Sequence, residues 1–195
     1  KKEGSDKDCL KNYRPVSNLP VISKLLEKVV LQQLNHYLDV NDLHCSVQSG
    51  YRPHHSCETL LVRMTEDINK EIQADNIVIV VLLDLSAAFD TIDHPVLLDK
   101  LLNDYNIKDE ANEWFKSYLN GRSYSVKVKG ISSTFLCLLF GVPQGSLLGP
   151  VLFILYVKQL QLIAAKYGLN IKLYADDSQL YISFHPRDPC QFHDV

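Results

Sequence analysis

An α+β fold is predicted for this chain from three features of its hydrophobic patterning. Several stretches repeat apolar residues at helical spacing. One continuous aliphatic run, "NIVIVVLLDL", is too short for most helices, and further segments alternate or flank tight turns as strands do. Helices and strands are mixed without the strict alternation that builds a parallel α/β sheet.

The first helix is expected over about Val21–Leu38. Val21, Ile22, Leu25, Leu26, Val29, Val30, Leu34, Tyr37 and Leu38 form one broad apolar face, and Pro20 stands near its start, where a missing N–H does no harm. A loop, "NDLHCSVQSGYRPHHS", leads to a second helix capped by Ser56 and carrying Leu60, Leu61, Met64, Ile68 and Ile72. The aliphatic run then reads as a buried central strand. Helices follow at roughly Pro95–Leu102 and Glu110–Leu119, the second closed by Gly121. "SYSVKVKG" alternates, placing Tyr124, Val126 and Val128 on one strand face, and "STFLCLLF" is its expected hairpin partner. A Gly/Pro loop, "GVPQGS", precedes a long apolar helix ending near Gly168. Last comes "IKLYADDSQLYI", two strands joined by a tight turn at an aspartate pair.

The 195 residues are 46% hydrophobic, enough for one sizeable core or two small lobes sharing it. The longest apolar candidate for a membrane span, Leu147–Val157, is interrupted by Gly149 and Pro150 and falls short of the roughly 18–20 residues required. The charged opening, "KKEGSDKDCL", is not a signal peptide. Five scattered cysteines (Cys9, Cys45, Cys57, Cys137, Cys190) read as reduced thiols, which places the expected protein inside the cell, in nucleus or cytoplasm. Net charge is −3, but ten acidic residues and only two lysines fall between Glu71 and Glu113. The flanks are net basic, with clusters at Lys1–Arg14 and at Arg122, Lys127 and Lys129. A basic periphery around an acidic centre suits a protein that holds phosphates and concentrates metal ions, and ordinary solvated faces give the same count.

The chemistry centres on carboxylates. Asp176 and Asp177 are adjacent between two apolar runs, where like charges are unfavourable unless a cation sits there. Asp84 ends the most hydrophobic strand, followed by small Ser86, Ala87 and Ala88, whose accessible backbone lets a phosphate lie against the chain. If the Asp84 strand pairs beside the Asp176–Asp177 turn, three carboxylates converge. Hard oxygen ligands suit Mg²⁺, and two such ions about 4 Å apart serve a phosphoryl displacement. A plain hairpin turn also accommodates two aspartates. His44, Cys45, His54, His55 and Cys57 match no usual zinc spacing. Asp93 reads as a helix N-cap and Asp90 as non-catalytic.

Five blocks in order resemble the reverse transcriptase family, in its non-LTR (LINE-type) retrotransposon branch. "YADD" at Tyr174–Asp177, "LLDLSAAFDTIDH" at Leu82–His94 and "GVPQGSLLGPVLFILYV" at Gly141–Val157 resemble palm motifs. "LKNYRPVSNLPVISKLLEKVV" and "QSGYRPHHSCETLL" resemble fingers segments. The resemblance implies a right-hand polymerase fold with an antiparallel palm sheet packed on helices. It divides the chain into fingers at about 1–76, a first palm segment at 77–106, a helix-plus-hairpin insertion at 107–140 and further palm at 141–195. It implies an RNA-directed DNA polymerase core that joins deoxynucleotides to a primer 3′-hydroxyl on an RNA template, with two Mg²⁺ ions, or Mn²⁺ in their place, and no membrane partner.

Residue by residue, Asp84, Asp176 and Asp177 match the catalytic metal ligands, with the Leu85 carbonyl assisting. Arg52, Ser86, Phe89 and Gln144 match the nucleotide site. Phe89 would exclude a 2′-hydroxyl by size, or act as a core aromatic. Tyr174 and Gly145 match template and primer contacts, with Gly141 and Pro143 shaping the same loop. The family continues past this point into a thumb and carries an N-terminal endonuclease domain, so the chain is expected to be a fragment. A truncated, inactive or repurposed nucleic-acid-binding remnant is the alternative, and a metal-dependent nuclease would leave "GVPQGS" and Phe89 without a role.

Overall fold

The computed structural model describes residues 6, 9, 13, 16–85 and 87–187. Helix α1 spans Val21–Val40. Leu34 and Leu38 enter the core, but Val21, Ile22, Leu25, Leu26 and Val29 are exposed, so the broad apolar face expected from spacing packs only in its second half. The buried residue of the first half is Glu27, 1% exposed. Its Oε2 accepts the Leu147 N–H at 2.6 Å and its Oε1 accepts the Tyr118 hydroxyl at 3.2 Å. Hydrogen bonds to its carboxyl oxygens offset the cost of burying the group, which apolar periodicity does not register.

Helix α2, Cys57–Gln73, starts as expected at Ser56. The cap is reciprocal: Thr59 N–H donates to Ser56 Oγ at 3.2 Å and Ser56 N–H to Thr59 Oγ1 at 3.0 Å. Strand β1, Ile77–Asp84, is followed by a short 3-10 turn at Ala88–Asp90. Helix α3, His94–Asn103, begins where Asp93 Oδ1 accepts the Val96 N–H at 2.9 Å, with Pro95 in its first turn. Helix α4, Asp109–Leu119, ends just ahead of Gly121.

The alternating segment forms two short ladders rather than one hairpin. β2 (Ser123–Tyr124) pairs with β5 (Leu136–Cys137), and β3 (Lys127–Val128) pairs with β4 (Ile131–Ser132). Between them the Val126 N–H donates to the Ser133 hydroxyl oxygen at 2.9 Å rather than to a backbone carbonyl. Tyr124, Val126 and Val128 are all exposed.

The long helix expected before Gly168 is two helices, α5 at Gly149–Val157 and α6 at Gln159–Lys166. The junction residue Lys158 is anchored inward: its Nζ donates to the Leu43 carbonyl at 3.0 Å and lies 5.0 Å from the Tyr105 ring centroid. Strands β6 (Asn170–Tyr174) and β7 (Asp177–Phe184) close the described chain.

The main sheet has the order β1-β7-β6, and both of its pairings are antiparallel. β7 is central. β1, expected to be buried and central, is an edge strand whose aliphatic side chains are largely exposed, Leu82 at 73%. A continuous aliphatic run reports that a strand can be buried on both faces, not that the described residues cover it. One core joins α1, α3, α4 and α5 through Leu38, Leu97, Leu101, Tyr105, Phe115 and Leu152. A smaller one joins α6 to β6 through Ala164, Ile171 and Leu173, with Cys45. No helix among the described residues is long and apolar enough to cross a membrane.

Candidate active site

The strand register decides where the carboxylates go. Asp84, last residue of β1, lies directly across from Asp177, first residue of β7, and Tyr174 lies across from Asp177 on the other side. Directly opposed residues project to the same sheet face, so Asp84 and Asp177 share one. The turn residues are Ala175 and Asp176 rather than the two aspartates, and Asp177 already belongs to the strand. Asp176 is half-buried, while Asp84 and Asp177 are exposed.

Among the described residues no Lys, Arg or His forms an ion pair with any of the three. Nor do three acidic, His or Cys side chains among them form a closed ligand set. The register sets Asp84 opposite Asp177, with Asp176 in the adjoining turn. The donor set itself is all carboxylate oxygen, with backbone carbonyls close in sequence, and is chemically suited to a hard divalent cation.

A second segment supports the turn from behind. Residues Val47–Ser49 run beside β6: Leu173 N–H donates to the Val47 carbonyl at 2.9 Å and Ser49 N–H to the Leu173 carbonyl at 2.8 Å. Gln48, 1% exposed, accepts the Ala175 N–H on Oε1 at 3.0 Å, and its Nε2 donates to the Ala175 carbonyl at 3.3 Å. Neither Gln48 nor Gly50 was singled out from the sequence as a site residue. Their partner, Ala175, is 127 residues from Gln48, and no local pattern signals it.

Arg52, expected at the nucleotide, is half-buried, and its Nη1 donates to the carbonyls of Cys45 at 2.9 Å and Gln48 at 3.3 Å. It therefore braces the supporting loop. Beside it, Tyr51 borders the carboxylates: burial raises its phenol pKa, and the charge of Asp176 raises it further. Tyr51, Ala87 and Ala175 all have left-handed φ, at 55°, 57° and 55°. Such backbone costs about 1–2 kcal/mol per non-glycine residue and gathers where surrounding structure enforces it.

The "GVPQGS" loop is joined to the turn after Asp84. Gly141 N–H donates to the Ile92 carbonyl at 2.7 Å and Val142 N–H to the Phe89 carbonyl at 2.8 Å. A Cβ on Gly141 would lie 2.8 Å from Asp90 Cα, so only glycine permits this approach. His94 Nε2 donates to the Gly141 carbonyl at 2.7 Å, which fixes its tautomer. Phe89 is half-buried with its ring centroid 5.1 Å from that of Phe153. Gln144 Nε2 donates to both carboxylate oxygens of Asp90, at 3.1 and 2.9 Å. Asp90, read from sequence as non-catalytic, is thus the residue that orients Gln144. Leu85, whose carbonyl accepts the Ala88 N–H at 3.2 Å, borders with Asp84 a cleft of about 520 Å³ that reaches Phe153 and Tyr156. Tyr174 is half-buried at the end of β6, and Gly145 is exposed on the loop. Ser86 lies outside the described residues.

Comparison with known proteins identifies the family. Residues 1–192 match the family model described as reverse transcriptase (RNA-dependent DNA polymerase). The RNA-directed DNA polymerase from mobile element jockey of Drosophila funebris is 31% identical over 171 residues, covering 85% of this chain and 18% of that protein. The probable RNA-directed DNA polymerase from transposon X-element of Drosophila melanogaster is 32% identical over 168 residues, with the same coverages of 85% and 18%. The chain therefore spans about a fifth of the length of the curated relatives it matches. Among solved structures, an apo telomerase from Candida tropicalis truncated from its C-terminal domain shares the fold, at TM-score 0.58 and 16% identity over 82% of this chain and 34% of the telomerase chain. The chain belongs to the reverse transcriptase (RNA-dependent DNA polymerase) family.

Proposed function

We propose that this chain is the catalytic core of an RNA-directed DNA polymerase, joining deoxynucleotides to a primer 3′-hydroxyl along an RNA template. The observation that carries the reading is the register that sets Asp84 opposite Asp177, with Asp176 in the adjoining turn. Asp84, Asp176 and Asp177, with the Leu85 carbonyl, would hold two Mg²⁺ ions, or Mn²⁺, once side-chain rotation brings the carboxylates together. When bound, such ions lower the pKa of the attacking hydroxyl and neutralise charge on the phosphates.

The remaining residues bind and orient. Phe89 is kept rigid by Phe153 and by the Val142–Phe89 hydrogen bond, as a size filter at the sugar requires. Gln144, fixed by Asp90, presents the loop toward the nucleotide and template, and Gly145 lets the backbone come close. Arg52 would meet triphosphate oxygens through its guanidinium nitrogens other than Nη1, and Ser86 is assigned to the same nucleotide site. Tyr174 would flank the primer end. In this reading the chain supplies fingers and palm.

The test is primer extension on an RNA template with Mg²⁺ and the four deoxynucleotides, with Asp176→Asn as control. Extension that disappears in the variant is expected. Extension that survives Asp176→Asn would remove the carboxylates from the mechanism. Tight nucleic-acid binding without any extension would favour the non-catalytic remnant.

A further inference from the structure

We propose that Gln48 is a positioning residue for the aspartate turn. In this proposal, which rests on the cation-binding reading above, its buried carboxamide holds the Ala175 peptide and so sets where Asp176 stands relative to Asp84 and Asp177. The carboxamide does what a neighbouring strand would do. Its oxygen accepts the Ala175 N–H at 3.0 Å and its nitrogen faces the Ala175 carbonyl at 3.3 Å, extending the 47–49 pairing one residue into the turn through a side chain. Gly50 completes the clamp by donating its N–H to the same oxygen at 2.7 Å. Two N–H donors on one atom and a carbonyl opposite the other fix which end of the amide is oxygen, since the reversed orientation would set donor against donor.

Gly50 is also the reason the clamp can close. A Cβ there would lie 2.2 Å from Ala175 N and 2.9 Å from Ala175 Cα, so any side chain would push the turn away. Ala175 itself is held at φ +55°, a conformation alanine does not favour, and a turn stored in that state needs an external tie. Asp176 is the next residue along the chain. A shift of the Ala175 peptide therefore moves its carboxylate with respect to the two aspartates fixed by the β1–β7 register.

The experiment follows Mn²⁺ binding to the 195-residue chain by electron paramagnetic resonance. It compares the parent with Gln48→Met, Gln48→Glu, Asp177→Asn and, as a structural control distant from the turn, Tyr181→Phe. Urea unfolding reports whether each variant folds, and hydrogen exchange reads the Ala175 amide. Gln48→Met is expected to weaken Mn²⁺ by about tenfold or more, as loss of a ligand-orienting partner does, and to speed exchange at Ala175. Gln48→Glu keeps the acceptor but not the donor, and falls between the parent and Gln48→Met. Tyr181→Phe lowers stability without moving Mn²⁺ affinity. Mn²⁺ affinity within twofold of the parent in Gln48→Met, with Asp177→Asn weakened, overturns the clamp while leaving the cation site in place. Should Gln48→Met not fold, unchanged affinity in Gln48→Glu overturns it equally. A parent that binds no Mn²⁺, or an Asp177→Asn variant that binds it as well as the parent, removes the cation site and the clamp's role together.

Discussion

Two strands deliver the aspartates, and the molecule treats them in opposite ways. The β6–β7 hairpin is buried on one face through Ile171 and Leu173 and on the other at Tyr181, paired along both sides of β7, and tied at its turn by Gln48. β1 is the more hydrophobic in sequence, yet it lies at the sheet edge with Ile79, Val81 and Leu83 all exposed. The difference teaches that precision at the site comes from the hairpin side. Asp84 is located by its pairing to β7, whereas Asp176 and Asp177 are located by a packed scaffold.

The comparison can be broken most sharply with a matched pair of truncations. Leu173→Ala, at a side chain 1% exposed, should cost about 2–5 kcal/mol in urea unfolding. Leu82→Ala, at one 73% exposed, should cost no more than about 0.5 kcal/mol. Equal costs would mean that β1 is buried in solution, and the asymmetry would fail.

A smaller effect sharpens the hairpin side. Tyr181 donates its hydroxyl to Asp67 Oδ2 at 2.6 Å, and Lys172 Nζ lies 3.0 Å from the same oxygen. The tyrosine hydrogen bond, then the lysine, lowers the Asp67 pKa, while burial and the Asp67 charge raise that of Tyr181. A depressed carboxylate contributes stability that is present above its unfolded value near 3.9 and is lost as pH falls through the folded value. Tyr181→Phe should therefore lower stability by about 1 kcal/mol at neutral pH, with the difference from the parent shrinking as pH falls below about 4. A difference that persists undiminished at pH 2 would assign the loss to packing instead.

The smallest expected change in stability is at the exposed edge. Val81→Lys should alter the unfolding midpoint little, within about 0.5 kcal/mol, but should reduce self-association measured by sedimentation, because a charge blocks strand-to-strand addition along an apolar edge. Unchanged sedimentation would mean that the edge of β1 is not a route of association.

What the sequence revealed follows the range over which each signal acts. Ser56 and Asp93 announce their helices because a cap and its N–H lie three residues apart. The aspartate hairpin is legible because a two-residue turn flanked by apolar runs is a local pattern. The fold class and the metal-suited carboxylates are visible for the same reason. Local patterns do not contain the break at Lys158, which accompanies a hydrogen bond to Leu43 115 residues away, or the burial of Glu27, which answers an N–H 120 residues away.

The sequence by itself determined the residue types, the helix starts and the ordered motifs that identify the family, since all of these are written in neighbours along the chain. Only the tertiary structure decided that β1 is an edge, that Asp90 orients Gln144, and that Gln48 and Gly50 support the aspartate turn. Burial and hydrogen-bond partnership depend on which distant segments meet, and a strand's hydrophobicity states what it can tolerate, not what covers it.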